Sequence, residues 1–231
     1  MSSALARVFE ATEEANRVAI LRALSRPIDG PMLDIGPHQG HFTERVARQI
    51  GTKDVRGVEL IADHVAEARS RGIEVTLGDV DDGLPFEDET FGVVLANQVI
   101  EHVRRTDLFM KEIRRVLKPG GFACISTNNL SSWHNVFSLA LGHQPMPIHV
   151  SDEKIIGNPL NPENGLEHED LGRTHLRLFT TRALVELGEL HGLRAVDVKT
   201  VGYYPLPPRA AARAVKIDPR HGAYTVALFT R

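Results

Sequence analysis

Met32-Leu33-Asp34-Ile35-Gly36-Pro37-His38-Gln39-Gly40 is the stretch on which the fold turns. A short, mostly apolar run between Pro31 and Gly36 reads as a buried strand, and the glycines read as a turn. Phe42, Val46 and Ile50 then recur every four residues up to Gly51, as they do along one face of a helix. The same unit repeats downstream. Residues 55–59 predict a second strand, 62–71 a helix and 73–77 a third strand. Phe91 to Ala96 is a nearly continuous apolar run, expected of a central strand covered on both faces. Alternation of this kind argues for a parallel sheet with crossover helices.

Working outward, residues 3–24 favour a leading helix, with Leu5, Val8, Phe9, Ala15, Ala19 and Leu24 as its apolar stripe and Pro27 and Gly30 as its end. A helix from about Arg105 to Leu117 carries Phe109, Ile113 and Val116 on one face; Lys118-Pro119-Gly120-Gly121 is expected to stop it before a strand at 122–126. Residues 128–175 lose periodicity and are rich in proline and histidine, an insert of the length that usually serves function. Patterning resumes with a helix near 181–190, a strand at 193–201 and a last strand at 223–230.

Composition narrows the function. The chain has 231 residues, with 42% hydrophobic and 25% charged, so one domain over 1–231 is expected, and no apolar run approaches the length of a membrane span. The N-terminus lacks the apolar core of a secretory signal, which points to the cytoplasm. Cys124 is the one cysteine, excluding an internal disulfide and a cysteine-rich zinc site. Net charge is −3 with no basic tract, so neither nucleic acid nor membrane is expected as a partner. The oligomeric state stays open, a homodimer included.

The turn after the first strand has neither the G-x-G-x-x-G pattern of dinucleotide binders nor the Lys-Ser/Thr pair of a phosphate loop. Glu59, 23 positions after Gly36, is placed to accept both hydroxyls of a ribose. At the third strand's end, Asp79 can accept from an exocyclic amine while a neighbouring N–H donates to the ring. Together these strand ends describe a nucleoside slot without a phosphate site.

Over roughly residues 30–127 these motifs resemble the class I S-adenosylmethionine-dependent methyltransferases. Leu33-Asp34-Ile35-Gly36 to Gly40 is similar to the family's first motif, Glu59 to its ribose acid, Gly78-Asp79 to its adenine acid, and Leu117 to Gly121 to the turn before its fifth strand. The resemblance implies an α/β, Rossmann-like, seven-stranded mostly parallel sheet with an antiparallel last strand and a cap insert at 128–175. It also implies S-adenosylmethionine as cofactor, held by Asp34, Gly36, His38, Gly40, Glu59, Leu60, Asp79, Val80 and Asn97. His38 departs from the pattern, standing where the family usually has a glycine; its ring is expected over the cofactor's amino acid end or in solvent.

The implied activity is methyl transfer to an oxygen or nitrogen of a small-molecule acceptor. His102 is the first candidate for a base, because its ordinary pKa lies near neutrality, with His175 second. Glu101 and His102 have an alternative role in capping the next helix. Related O-methyltransferases of ubiquinone biosynthesis carry Glu-x-x-Glu-His here and bind a divalent metal; Gln98 replaces the first Glu, so no metal is expected. Glu101, Trp133, His175, Arg177 and Tyr203 are the acceptor-binding candidates, although packing explains the aromatic residues and a surface ion pair explains Arg177 equally simply. The intervals between His134, His143, His149 and His168 fit no compact zinc pattern. Two rival readings are a cofactor-binding accessory module without turnover and a methyltransferase for RNA or protein.

Overall fold

A computed structural model describes residues 3–26, 28–167 and 174–231. Seven strands form one sheet: β1 (Met32–Ile35), β2 (Val55–Glu59), β3 (Glu74–Leu77), β4 (Phe91–Asn97), β5 (Leu117–Asn128), β6 (Arg194–Val201) and β7 (Tyr224–Thr230). Their order is β3-β2-β1-β4-β5-β7-β6. The first five are parallel, and β7 lies antiparallel between β5 and β6. The order reverses between β1 and β4, and ligands of such sheets bind beyond the strand ends at that switch.

Strand period sorts the core into two layers. Leu33, Ile35, Val94, Ala96, Ala227 and Phe229 face one side, where Phe109, Met110 and Ile113 of α4 (Thr106–Val116) and Leu184 of α6 (Thr181–Leu190) cover them. Their sequence neighbours Met32, Val93, Leu95, Val226 and Leu228 face the other. There they meet Ile20 and Leu24 of α1 (Ser3–Ala23), Val46 of α2 (His41–Ile50) and Val65 of α3 (Ala62–Ser70). With both faces covered, β1 and β4 are buried over almost their full length.

Three local expectations are corrected. Lys118-Pro119-Gly120-Gly121 does not separate helix from strand: β5 begins at Leu117, and the glycines are absorbed at a register shift opposite Phe91–Val93. The insert contains a helix, α5 (Trp133–Ala140). A further helix, α7 (Pro208–Ile217), precedes β7 and buries Ala211. His168, Gly172 and Arg173 lie outside the described residues.

Candidate active site

The turn after β1 and the segment after β4 flank the switch point. Gly36 has φ +70°, and a Cβ there would stand 2.8 Å from Val99 Cγ2. Gly40 has φ +82° and starts α2, where a Cβ would meet Ile73 Cδ1 at 2.6 Å. Both positions therefore need glycine, for conformation and for space. At Gly36 the backbone of the β1 turn and the Val99 side chain are in close approach, which a side chain would prevent.

Glu59 ends β2 and is buried. Its Oε2 accepts from the His38 N–H at 2.9 Å and its Oε1 from the Ile61 N–H at 3.0 Å. Each oxygen has a second lone pair, enough to accept both hydroxyls of a ribose. The carboxylate is fixed by backbone before any ligand arrives, and this fits the cofactor that the strand-end pattern implies. His38 adopts φ +51°, a left-handed conformation that a glycine takes at lower cost. The residue is exposed, as the solvent placement expects, and its ring packs on His64 of α3 with centroids 3.7 Å apart.

Glu59 pairs with Leu77 across β2 and β3, and Gly78 N–H donates to the Glu59 carbonyl, so Asp79 stands at the adjacent strand tip. Gly78 and Asp79 border a cleft lined also by Val58, Leu77, Gly83 and Leu84. Asp79 is already engaged. Oδ1 accepts from the Asp81 N–H and caps the 3-10 turn Val80–Asp82, while Oδ2 accepts from Arg104 at 2.9 Å. Asp81 was not picked out from sequence; it accepts from Arg104 and from the backbone of Arg104 and Arg105, which hold its carboxyl below the usual range against the opposing effect of burial. Leu60 is exposed beside Glu59, and Val80 packs on the core.

Asp34 is buried, and its Oδ2 accepts from Thr43 Oγ1 at 2.7 Å. Burial pushes its carboxyl up to about 7, with the nearby Glu59 carboxylate adding to the rise and Thr43 opposing it. This places Asp34 beneath the turn as a brace. Asn97 joins a polar chain that includes a residue sequence reasoning missed: Asn16 of α1 donates to Asn97 Oδ1, Ser126 donates to Asn16, and Gln98 bridges Ser126 and Asn128. The signal for Asn16 was its place four residues before Ile20 and eight before Leu24, a polar residue on the buried face.

Beyond β4, Glu101 is fully buried in the 3-10 turn Ile100–His102. Its Oε2 accepts from Thr127 at 2.9 Å, and Oε1 has no hydrogen-bond partner among the described residues. Burial pushes this carboxyl up to about 7. The insert's return segment is strapped to the same turn, because Leu176 N–H donates to the Glu101 carbonyl. His102 Nδ1 lies 3.1 Å from the Thr174 carbonyl. A carbonyl can only accept, so Nδ1 carries the proton and Nε2 keeps its lone pair. Burial holds His102 below the ordinary histidine range, leaving it neutral near pH 7. His175 stands edge-on to His102 at 4.7 Å, and donor atoms of Glu101, His102 and His175 lie within 4.8 Å of one another. The structure thus brings His175 to the adjacent pair Glu101 and His102, more than seventy residues away in sequence.

The other acceptor candidates lie elsewhere. Arg177 donates to Thr106 Oγ1 and to the Arg104 carbonyl at the start of α4. Trp133 donates to Asp218 at 2.9 Å and stacks on His221, and Tyr203 donates to the Asp218 carbonyl. Trp133 and Tyr203 therefore share a cluster around Asp218 that ties α5 to the segment before β7.

Residues 33–125 match the family model described as a methyltransferase domain. The Mycobacterium ulcerans protein named "Probable phthiotriol/phenolphthiotriol dimycocerosates methyltransferase 2" is 26% identical over 218 residues, 87% of this chain and 78% of the relative. The fatty-acid O-methyltransferase of Mycolicibacterium smegmatis is 32% identical over 120 residues, 48% of this chain and 43% of the relative, so that match spans less than half the relative's length. A Thermotoga maritima crystal structure of a SAM-dependent methyltransferase superposes with a TM-score of 0.62 at 22% identity, covering 97% of this chain and 93% of that one, a likeness of fold.

Proposed function

We propose that this chain is a class I S-adenosylmethionine-dependent methyltransferase, as its match to a methyltransferase domain over residues 33–125 and its fold support, and that its methyl acceptor is an oxygen or nitrogen of a small, largely apolar metabolite. The cofactor, S-adenosylmethionine, supplies an electrophilic methyl group when bound. In this reading Glu59 holds the ribose, Gly36 and Gly40 leave room for the methionine end, and Asp79 borders the adenine. Displacement at the methyl group needs an aligned acceptor and, for a hydroxyl, removal of a proton.

One observation carries the proposal: beside the switch point, His102 Nε2 retains its lone pair while Nδ1 is pinned by the Thr174 carbonyl. A neutral imidazole with a fixed tautomer is poised to take a proton from an acceptor held under the insert. Glu101 and His175 form the remaining polar wall. Leu176, just after the insert, and Val150 within it are exposed apolar residues beside His175 and beside His149, whose ring stacks on His175 at 6.5 Å, and they suit an apolar acceptor body. The fatty-acid O-methyltransferase relative supports the same class of acceptor. No described helix is long and apolar enough to cross a membrane, and the proposed setting is the cytoplasm.

The test is incubation of purified protein with methyl-labelled cofactor and a cell extract split by size into metabolites and macromolecules. Label should enter the metabolite fraction. Label confined to RNA or protein would support the macromolecular alternative, and cofactor binding without transfer to either fraction would support an accessory module.

A further inference from the structure

We propose that α5 and α7 form a docking surface for an anionic lipid bilayer, on the strand-end rim of the sheet. Net charge is −3 with no basic tract in sequence, yet a sum over the chain hides how charges are placed on a helix.

α5 is inside out. Its buried residues are the polar Asn135 and Ser138, which serve hydrogen bonds within the insert: Asn135 Oδ1 accepts from the Met146 N–H, and Ser138 Oγ accepts from Asn158. Trp133, Phe137 and Leu141 recur every four residues on the other side, and all three are exposed, Phe137 at 60% and Leu141 at 63%. A helix that turns its polar face inward leaves its apolar stripe in water, as a helix with an outside partner does.

α7 carries the complementary charge. Arg209, Arg213 and Lys216 follow the helical period on the side opposite the buried Ala211. All three are exposed, and none makes an ion pair or a side-chain hydrogen bond among the described residues. Ile217, at the end of the same helix, is 85% exposed. The two stripes meet at one corner, where the Trp133 indole donates to Asp218, the residue that caps α7, and stacks on His221. That corner lies on the cofactor side of the sheet: α5 follows the carboxyl end of β5, where Asn128 pairs with Tyr224, the first residue of β7.

Cations beside exposed aromatic and aliphatic side chains suit a headgroup layer with acyl chains beneath it. A second copy of the chain fits worse, because a twofold contact through α7 sets like charges against each other. A nucleic acid answers the cations and leaves Leu141 and Ile217 uncovered. The consequence for the acceptor rests on the methyl-transfer reading: an apolar acceptor held in the bilayer reaches the rim without crossing water.

Flotation of the full chain with lipid vesicles tests this without cofactor or acceptor, so its failure leaves methyl transfer standing, and failure of methyl transfer leaves the docking surface standing. The chain should bind vesicles of equal parts phosphatidylglycerol and phosphatidylcholine at least about tenfold more strongly than phosphatidylcholine alone, and less as salt rises. Arg213→Ala with Lys216→Ala should weaken binding roughly thirtyfold, about fivefold for each charge. Phe137→Ser with Leu141→Ser should weaken it at least about tenfold. Circular dichroism checks that the variants fold; should one pair fail, the other pair and the lipid comparison decide. No binding to anionic vesicles, equal binding to both compositions, or native binding in either folded variant would overturn the proposal. So would a stable dimer that Phe137→Ser with Leu141→Ser dissociates, or capture of RNA in place of vesicles.

Discussion

The backbone N–H of His38 donates to the carboxylate of Glu59 at 2.9 Å, tying the turn after β1 to the tip of β2. With Ile61 N–H on the other oxygen, the carboxylate is oriented before the cofactor binds. Glu59→Ala should weaken S-adenosylmethionine binding by about 1–3 kcal/mol, the usual worth of hydrogen bonds to a charged group. Calorimetry checks this, and unchanged affinity would remove Glu59 from the ribose site.

Asp34 has a pH signature. Burial, mainly, raises its carboxyl in the folded chain from the ordinary aspartate value of 3.8 to about 7. The folded state therefore holds a proton that the unfolded state releases, and the resulting stability is full below the unfolded pKa and lost as pH rises toward 7. Asp34→Asn removes this loss. The melting temperature of Asp34→Asn minus that of the native protein should rise between about pH 4 and about pH 8, corresponding to up to about 4 kcal/mol. A difference that stays flat with pH would show that Asp34 ionises as freely folded as unfolded.

Gly92 fixes β4 against the segment leading into β1. A Cβ there would lie 2.0 Å from the Asp29 carbonyl oxygen and 3.3 Å from Ile28 Cγ2. The obstacle is backbone, so relief requires moving the chain. Gly92→Ala should lower stability by roughly 1–3 kcal/mol, as overpacking does, read from chemical denaturation. A stability equal to the native value would mean that the segment at Asp29 yields without cost.

The parallel half of the fold was readable because its strands and helices carry their own periods: β1 and β4 are short and mostly apolar, β2 is a short run bounded by its neighbours, and α2 and α4 show one buried face each. α7 escaped because its apolar residues are chiefly the short alanine run Ala210 to Ala214, and α5 because it lies in a proline-rich insert. The strand tips bearing Glu59, Asp79 and Asn97 followed from that alternation. The partners of those residues did not. Asp79 with Arg104, Asn97 with Asn16, Trp133 with Asp218 and His102 with His175 meet through tertiary packing, across separations that no local pattern encodes.

The role of His102 is the central claim, and one comparison tests it most directly: turnover and cofactor affinity measured side by side for the native protein and His102→Ala, with the acceptor found in the metabolite fraction. The account predicts a fall in kcat of about 10²–10⁴-fold, the range for loss of a general base, with S-adenosylmethionine affinity near the native value. Native kcat in His102→Ala, with cofactor still bound, would contradict it.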